Sequence, residues 1–232
     1  MAIRRILEVP DPLLRQKSTP VETVDDEVRA LIADMFETMY AAPGIGLAAI
    51  QVGVPKRLLV IDLQEPVEEG GEPVREPRVF INPEIVEHSD EEVPYTEGCL
   101  SVPDQFADVD RPDRIRARWL DENGKPHDEV ITGLLATCLQ HEMDHLEGIL
   151  FIDHLSRLKR EIILKKLAKQ RKELEQRAAW SSAAATPERG SGRRRRPLRH
   201  PCRQCDPHPA RHRFPHPLRS VGDALSVRSR QL

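Results

Sequence analysis

One hexapeptide constrains this chain more than any other stretch: Gln140-His141-Glu142-Met143-Asp144-His145. Its HExxH spacing sets His141 and His145 four residues apart, so on a helix they share one face, one turn apart. Two imidazoles so placed can hold one divalent metal, with Glu142 close enough to move protons on a water there. The flanks support a helix over residues 133–147. Leu134, Leu135, Cys138, Leu139, Met143 and Leu146 form an apolar band, and Gly148 is a C-terminal stop. A bare HExxH also arises by chance in surface helices, and two histidines are too few. A catalytic site of this kind needs three protein ligands and an open position for water.

The best candidate for the third ligand is Cys99, between Gly98 and Leu100 in a stretch without periodic pattern. A thiolate with two imidazoles suits Fe(II), Zn or Ni. The plainer alternative for Cys99 is a small buried apolar residue. Cys138 reads as just that, or as the lining of a pocket, because it lies three residues before His141.

Around this centre the sequence predicts an α+β fold, with mixed, mostly antiparallel sheets packed around a central metal-binding helix. Residues 3–9 read as a short strand and residues 10–15 as a turn. A helix over residues 25–42 follows from Val28, Leu31, Ile32, Met35, Phe36 and Met39, with acidic residues in its first turn. Residues 57–63 form a strand, residues 64–77 a loop rich in Pro, Gly and Glu, and residues 79–83 begin another strand. Residues 114–121 and 127–132 make a hairpin around the turn Asp121-Glu122-Asn123-Gly124. Gln51 is the one polar side chain in the apolar run from Ile45 to Val52. It is either a structural amide satisfied by backbone or an amide aimed at a substrate, since a buried one must be bonded.

Charge is segregated along the chain. Residues 1–155 carry 14 Lys+Arg against 32 Asp+Glu, a net of −18, whereas residues 156–180 carry +6 and residues 181–232 carry +9. The sequence therefore divides into a catalytic domain over residues 1–155, a basic helix over 156–180 and an Arg/Pro-rich tail over 181–232 that reads as disordered. The basic helix is either a solvated face or a docking surface for a polyanion such as ribosomal RNA. Cys202, Cys205, His208 and His212 have a superficial zinc spacing, but the interval between the pairs is too short for an ordinary finger. Few cysteines, no export signal and no run of membrane-spanning length predict a cytoplasmic protein.

Three motifs together carry a resemblance. Residues 44–51 (Gly-Ile-Gly-Leu-Ala-Ala-Ile-Gln), 97–101 (Glu-Gly-Cys-Leu-Ser) and 140–145 are similar to the signature motifs of the peptide deformylase family, in order and spacing. The resemblance covers about residues 3–170. It implies removal of the formyl group from N-formylmethionine at the start of nascent peptides, with release of formate. It implies Cys99, His141 and His145 as ligands of a metal, usually Fe(II), with Zn, Ni or Co able to substitute. Glu142 would be the acid–base residue, and Gln51 with the Leu100 backbone N–H would form an oxyanion hole. Ile45, Gly46 and Gly98 would meet the peptide backbone, and Tyr95, Leu134 and Cys138 would line an apolar pocket for the methionine side chain. The family spacing also pairs Glu97 with Arg111. One departure is Phe106, where many members carry an arginine that helps to hold the peptide.

Other readings of the residues make different demands. A metzincin protease needs a third histidine at position 151, which is Phe, and a gluzincin needs a downstream glutamate, for which Glu161 is available. A nucleic-acid-binding module would rest on the basic helix and tail, against the charge of the acidic body.

Overall fold

A computed structural model describes residues 2–66 and 71–184. Helix α1 spans Asp26–Ala41. Asp25 caps it by accepting from the Val28 N–H at 2.9 Å, and Asp26 and Glu27 face the positive end of its dipole. Strands β1 (Gly46–Ala48), β2 (Leu58–Ile61), β3 (Arg78–His88), β6 (Arg114–Leu120) and β7 (Pro126–Thr132) form a five-stranded sheet in the order β1-β2-β3-β6-β7. Strands β4 (Glu92–Cys99) and β5 (Val102–Pro112) form a separate hairpin. Every ladder between named strands is antiparallel; the parallel pairing among the described residues is an isolated Thr19–Lys56 bridge. Helix α2 spans Gly133–Leu146 and carries the HExxH motif; α3 spans Arg157–Ala184.

The continuous apolar run of β2 follows from what lies on either side of the sheet. Leu59 and Ile61 pack with Phe80, Ile115, Ala117 and the α2 residues Ala136, Cys138, Leu139 and Leu146. Leu58 and Val60, pointing the other way, pack with Val79, Ile81 and the α1 residues Val28, Leu31, Ile32, Met35 and Met39. A sheet covered on both faces needs apolar residues at every position, not alternation. β1 joins the sheet through Gly46–Ile61, Leu47–Val60 and Ala48–Leu59 and brings the glycine-rich motif against α2. A 3-10 turn over Ala49–Val52 follows, with all four residues buried.

Helix α2 ends where predicted. Gly148 has φ +74°, and a Cβ there would lie 2.6 Å from the Arg15 carbonyl oxygen. Only glycine fits both the left-handed backbone and that close approach.

Several expectations need correction. Residues 3–9 form no strand. Their backbone N–H groups bond to scattered partners, with Arg4 donating to Thr38 Oγ1, Leu7 to the Gln51 carbonyl and Val9 to the Ser101 carbonyl. Among the described residues no single neighbouring strand is present to make a ladder with them. The β4–β5 hairpin and β1 are not predicted by the sequence pattern, yet both are present. The pattern of the basic helix places Leu158, Ile162, Leu164, Leu167 and Leu174 on an apolar stripe. Among the described residues of α3 the buried ones are Ile163 and Leu167, packed with Leu150, Phe151 and Ile152, while Leu158, Ile162 and Leu174 are exposed.

The first compact unit of the chain runs to Glu173, and Leu174–Ala184 of α3 belongs to a second. Of the tail expected over residues 181–232, residues 181–184 are helical. The rest, including the Cys202, Cys205, His208 and His212 spacing, lies outside the described residues.

Candidate metal centre

The α2 helix and the β4–β5 turn converge on one buried point. Cys99 ends β4, and Leu100 and Ser101 make the tight turn into β5. Cys99 Sγ lies 3.2 Å from His145 Nε2, and one donor atom from each of Cys99, His141 and His145 falls within 4.8 Å of the others. All three residues are buried. The imidazole rings of His141 and His145 meet edge to face, 5.1 Å between centroids, as the i, i+4 spacing requires.

His141 is oriented from behind. Its Nδ1–H donates to Glu97 Oε2 at 2.8 Å, which leaves Nε2 as the free lone pair, and Nε2 has no hydrogen-bond partner. Glu97 pairs with Arg111 as expected, through a two-bond fork: Nε to Oε1, and Nη2 to Oε2 at 3.1 Å. Burial works against the Glu97 charge, but the bonds from His141 and Arg111 outweigh it and hold the carboxyl down at about 2. Arg111 Nη1 also donates to Asp144 at 2.9 Å, and Asp144 meets His154 Nε2 at 2.7 Å. Neither Asp144 nor His154 stands out in the sequence as a site residue. The signal was present in the Asp between the two histidines, one residue before the second ligand.

The donor set fits a divalent cation. Burial, then the charge of Glu142, pushes the Cys99 thiol far up, so a cation among these atoms is what would hold it as thiolate. Burial, then the neighbouring His141, pushes His145 well below its usual value, into the neutral form that ligates. Among the described residues, neither Glu142 oxygen, both buried, has a hydrogen-bond partner. Burial, then the charge of Glu97, pushes the Glu142 carboxyl well up. Unpartnered polar atoms of this kind are costly in a closed interior and belong to sites that receive a ligand.

Gln51 is a structural amide bonded at both ends. Its carbonyl accepts from the Ala48 N–H at 2.7 Å, while its amide nitrogen donates to Ser101 Oγ at 3.1 Å and approaches Cys99 Sγ at 3.7 Å. The amide is thus anchored at one end by Ala48 and lies beside Ser101 and Cys99 at the other. Gly46 stands against Glu142: a Cβ there would fall 2.5 Å from Glu142 Oε1 and 3.0 Å from Cys138 Sγ. Cys138 is fully buried and lies near the Ile45 carbonyl. Gly98 pairs across the hairpin with Phe106, whose ring is exposed. Tyr95, paired with Val109, is partly exposed, and Leu134 borders a cavity of about 360 Å³ with Leu63, Pro66, Val74 and Leu135. That lining contains none of Cys99, His141 and His145.

The protease alternatives lose their ligands. Phe151, where a metzincin needs histidine, stacks on the His141 ring at 6.2 Å between centroids. Glu161 pairs instead with Arg157 on α3.

Known proteins resemble this chain over most of its described length. The polypeptide deformylase family model matches residues 3–161. The peptide deformylase of Rhizorhabdus wittichii is 73% identical over 172 residues, covering 74% of this chain and 97% of that protein. The peptide deformylase of Zymomonas mobilis is 70% identical over the same length and shares. A crystal structure of a peptide deformylase from Legionella pneumophila superposes with a TM-score of 0.68 at 46% identity, covering 75% of this chain and 98% of that one. A peptide deformylase from Ehrlichia chaffeensis, solved in complex with actinonin, gives 0.68 at 48% identity, covering 73% of this chain and 98% of that one. With a family model spanning more than half of its length and relatives this similar, the chain belongs to the polypeptide deformylase family.

Proposed function

We propose that this protein hydrolyses the formyl group from N-formylmethionine at the N-terminus of newly made proteins and releases formate. The observation that carries the reading is the buried Cys99, His141 and His145 triad with the unpartnered Glu142 carboxylate beside it. Cys99, His141 and His145 would hold one divalent metal; the donor set suits Fe(II), Zn or Ni, and the family resemblance favours Fe(II), with Zn, Ni or Co as substitutes. When bound, the metal supplies a Lewis acid that brings a water's pKa toward neutrality. Glu142 takes the proton from that water and later delivers it to the amine that leaves. The Gln51 amide and the Leu100 backbone N–H stabilise charge on the formyl oxygen. Ile45, Gly46 and Gly98 hold the peptide backbone, and Tyr95, Leu134 and Cys138 shape the methionine pocket. Gly46 is the residue that lets a substrate backbone pass close to Glu142, because any side chain there meets the carboxylate.

Formate release from a formyl-Met peptide, by full-length protein loaded with Fe(II) without oxygen, tests the reading. Formate produced in step with metal content supports it. A metal-loaded protein that releases none removes it.

The location follows as the cytoplasm, where nascent peptides are made; among the described residues no helix is long and apolar enough to cross a membrane. We further infer ribosome docking through α3. Lys165, Lys166, Lys169 and Lys172 are exposed on it, while Ile163 and Leu167 anchor it to the body. Reversing these four lysines to Glu leaves the buried pair intact. It is expected to abolish salt-dependent co-sedimentation with ribosomes; wild type that fails to co-sediment even at low salt would refute the docking.

A further inference from the structure

One titratable side chain of the network behind the metal point takes no part in the chemistry above. His154 follows the 3-10 turn Phe151–Asp153, and its Nε2 lies 2.7 Å from Asp144 Oδ2. The same oxygen accepts from Arg111 Nη1 at 2.9 Å. The other edge of that guanidinium forks onto Glu97, whose Oε2 accepts from His141 Nδ1 at 2.8 Å. An unbroken chain of charge-assisted bonds thus runs from His154 to a metal-facing imidazole. Side-chain exposure falls along it: 38% at His154, 20% at Asp144, 6% at Arg111, 0% at Glu97 and 1% at His141. His154 is the end that water reaches.

The charges explain why that end matters. One guanidinium serves two carboxylates, Glu97 and Asp144, so the group carries one uncompensated negative charge. An imidazolium at His154 supplies the missing positive charge and holds Asp144, so that Arg111 is not pulled away from its fork with Glu97. The geometry points to His154 as a positioning residue: as a cation it fixes Asp144 and Arg111, and through Glu97 it sets the tautomer and direction of the His141 ring toward the metal. This rests on the metal reading of Cys99, His141 and His145. The bond to Asp144, outweighing burial, raises the His154 pKa above its usual 6.5. The positioning is therefore present at low pH and lost as pH rises through that raised value. The groups facing His154 are Asp144 on α2, Arg111 on β5 and Glu97 on β4; the adjacent Asp153 is engaged by Arg15 and Arg160.

The test reads metal affinity, not turnover. Full-length protein binds Co(II) in competition with a chelator, followed by the visible and thiolate-to-cobalt absorption, at pH 6 and pH 9. Partners that orient a ligating histidine typically change metal affinity 10–100-fold, and a residue three links further along the chain should act by about 3–10-fold. At pH 6 the wild type is expected to bind cobalt that much more tightly than His154→Ala, with the gap closing at pH 9. His154→Lys, a permanent cation, should keep the wild-type affinity at pH 6 and exceed it at pH 9. A His154→Ala variant equal to wild type at pH 6, or weaker by the same factor at both pH values, overturns the proposal. A wild type that takes up no cobalt overturns the metal reading and this inference with it.

Discussion

Replacing Glu142 by Gln is expected to lower formate release by about 10²–10⁴-fold, the usual worth of a positioned acid–base group, while metal content stays at one per chain. The change is nearly isosteric, and neither carboxylate oxygen makes a hydrogen bond that folding depends on. The fold and the Cys99, His141 and His145 donors should therefore survive. The proton affinity of Glu142 suits an acid–base role, because burial and the nearby Glu97 charge raise it well above that of an ordinary carboxylate. A group so placed accepts a proton readily and can return it to an amine. The amide of a glutamine can do neither. Rates measured at equal metal content, with metal determined by elemental analysis, decide the matter. A Glu142→Gln enzyme within a few-fold of wild type would remove Glu142 from the mechanism; a variant that lost its metal would make it a structural support instead.

How much of this was legible before the structure depends on where the polar residues point. The helices α1 and α2 were readable because their apolar faces repeat with helical period, with acidic residues opening α1 and Gly148 closing α2. The β6–β7 hairpin was readable from its turn. The β4–β5 hairpin was not, and its physical reason is the site itself. Glu97, Ala107, Val109 and Arg111 share the inward face of the ladder, so an ion pair occupies positions where alternation demands apolar residues. Residues 3–9 failed in the opposite sense: among the described residues no strand lies alongside them, and their backbone bonds to whatever it passes. His141, Glu142 and His145 could be named from their HExxH spacing, and Cys99 from its place in a stretch without periodic pattern and from the family resemblance. Gln51 could be named but not interpreted, because only the folded turn shows its carbonyl tied to Ala48 and its amide turned toward Cys99. Asp144 and His154 escaped notice because their role depends on Arg111, which reaches them from another element.

Glu97→Leu is expected to cost about 3 kcal/mol of stability and, separately, about 10–100-fold in metal affinity. The two effects have different origins and can be divided. Removing one partner of a buried ion pair typically costs about 3–5 kcal/mol because the other charge is left behind. Asp144 still faces one edge of Arg111, which argues for the lower end. The proton affinity of Glu97 gives a similar figure. Its carboxyl falls from the usual 4.5 to about 2 on folding, and each unit is worth about 1.4 kcal/mol, again about 3 kcal/mol. The sign is that of a depressed carboxylate. The contribution is complete above pH 4.5 and is lost as pH falls from there toward 2, so the Glu97→Leu protein should lack that part of the acid sensitivity of the wild type. Urea unfolding of metal-stripped protein at pH 7 and at low pH measures this contribution. Adding Arg111→Met to Glu97→Leu removes the orphaned guanidinium and should return part of the stability, since apolar replacement of a buried pair is often neutral, while Asp144 keeps its bond to His154. Metal affinity should not return with it, because His141 Nδ1 has then lost the acceptor that fixes its tautomer. A double variant that recovered both would show that Glu97 serves only to neutralise Arg111, and a Glu97→Leu single variant as stable as wild type would show that Asp144 alone suffices to hold the guanidinium.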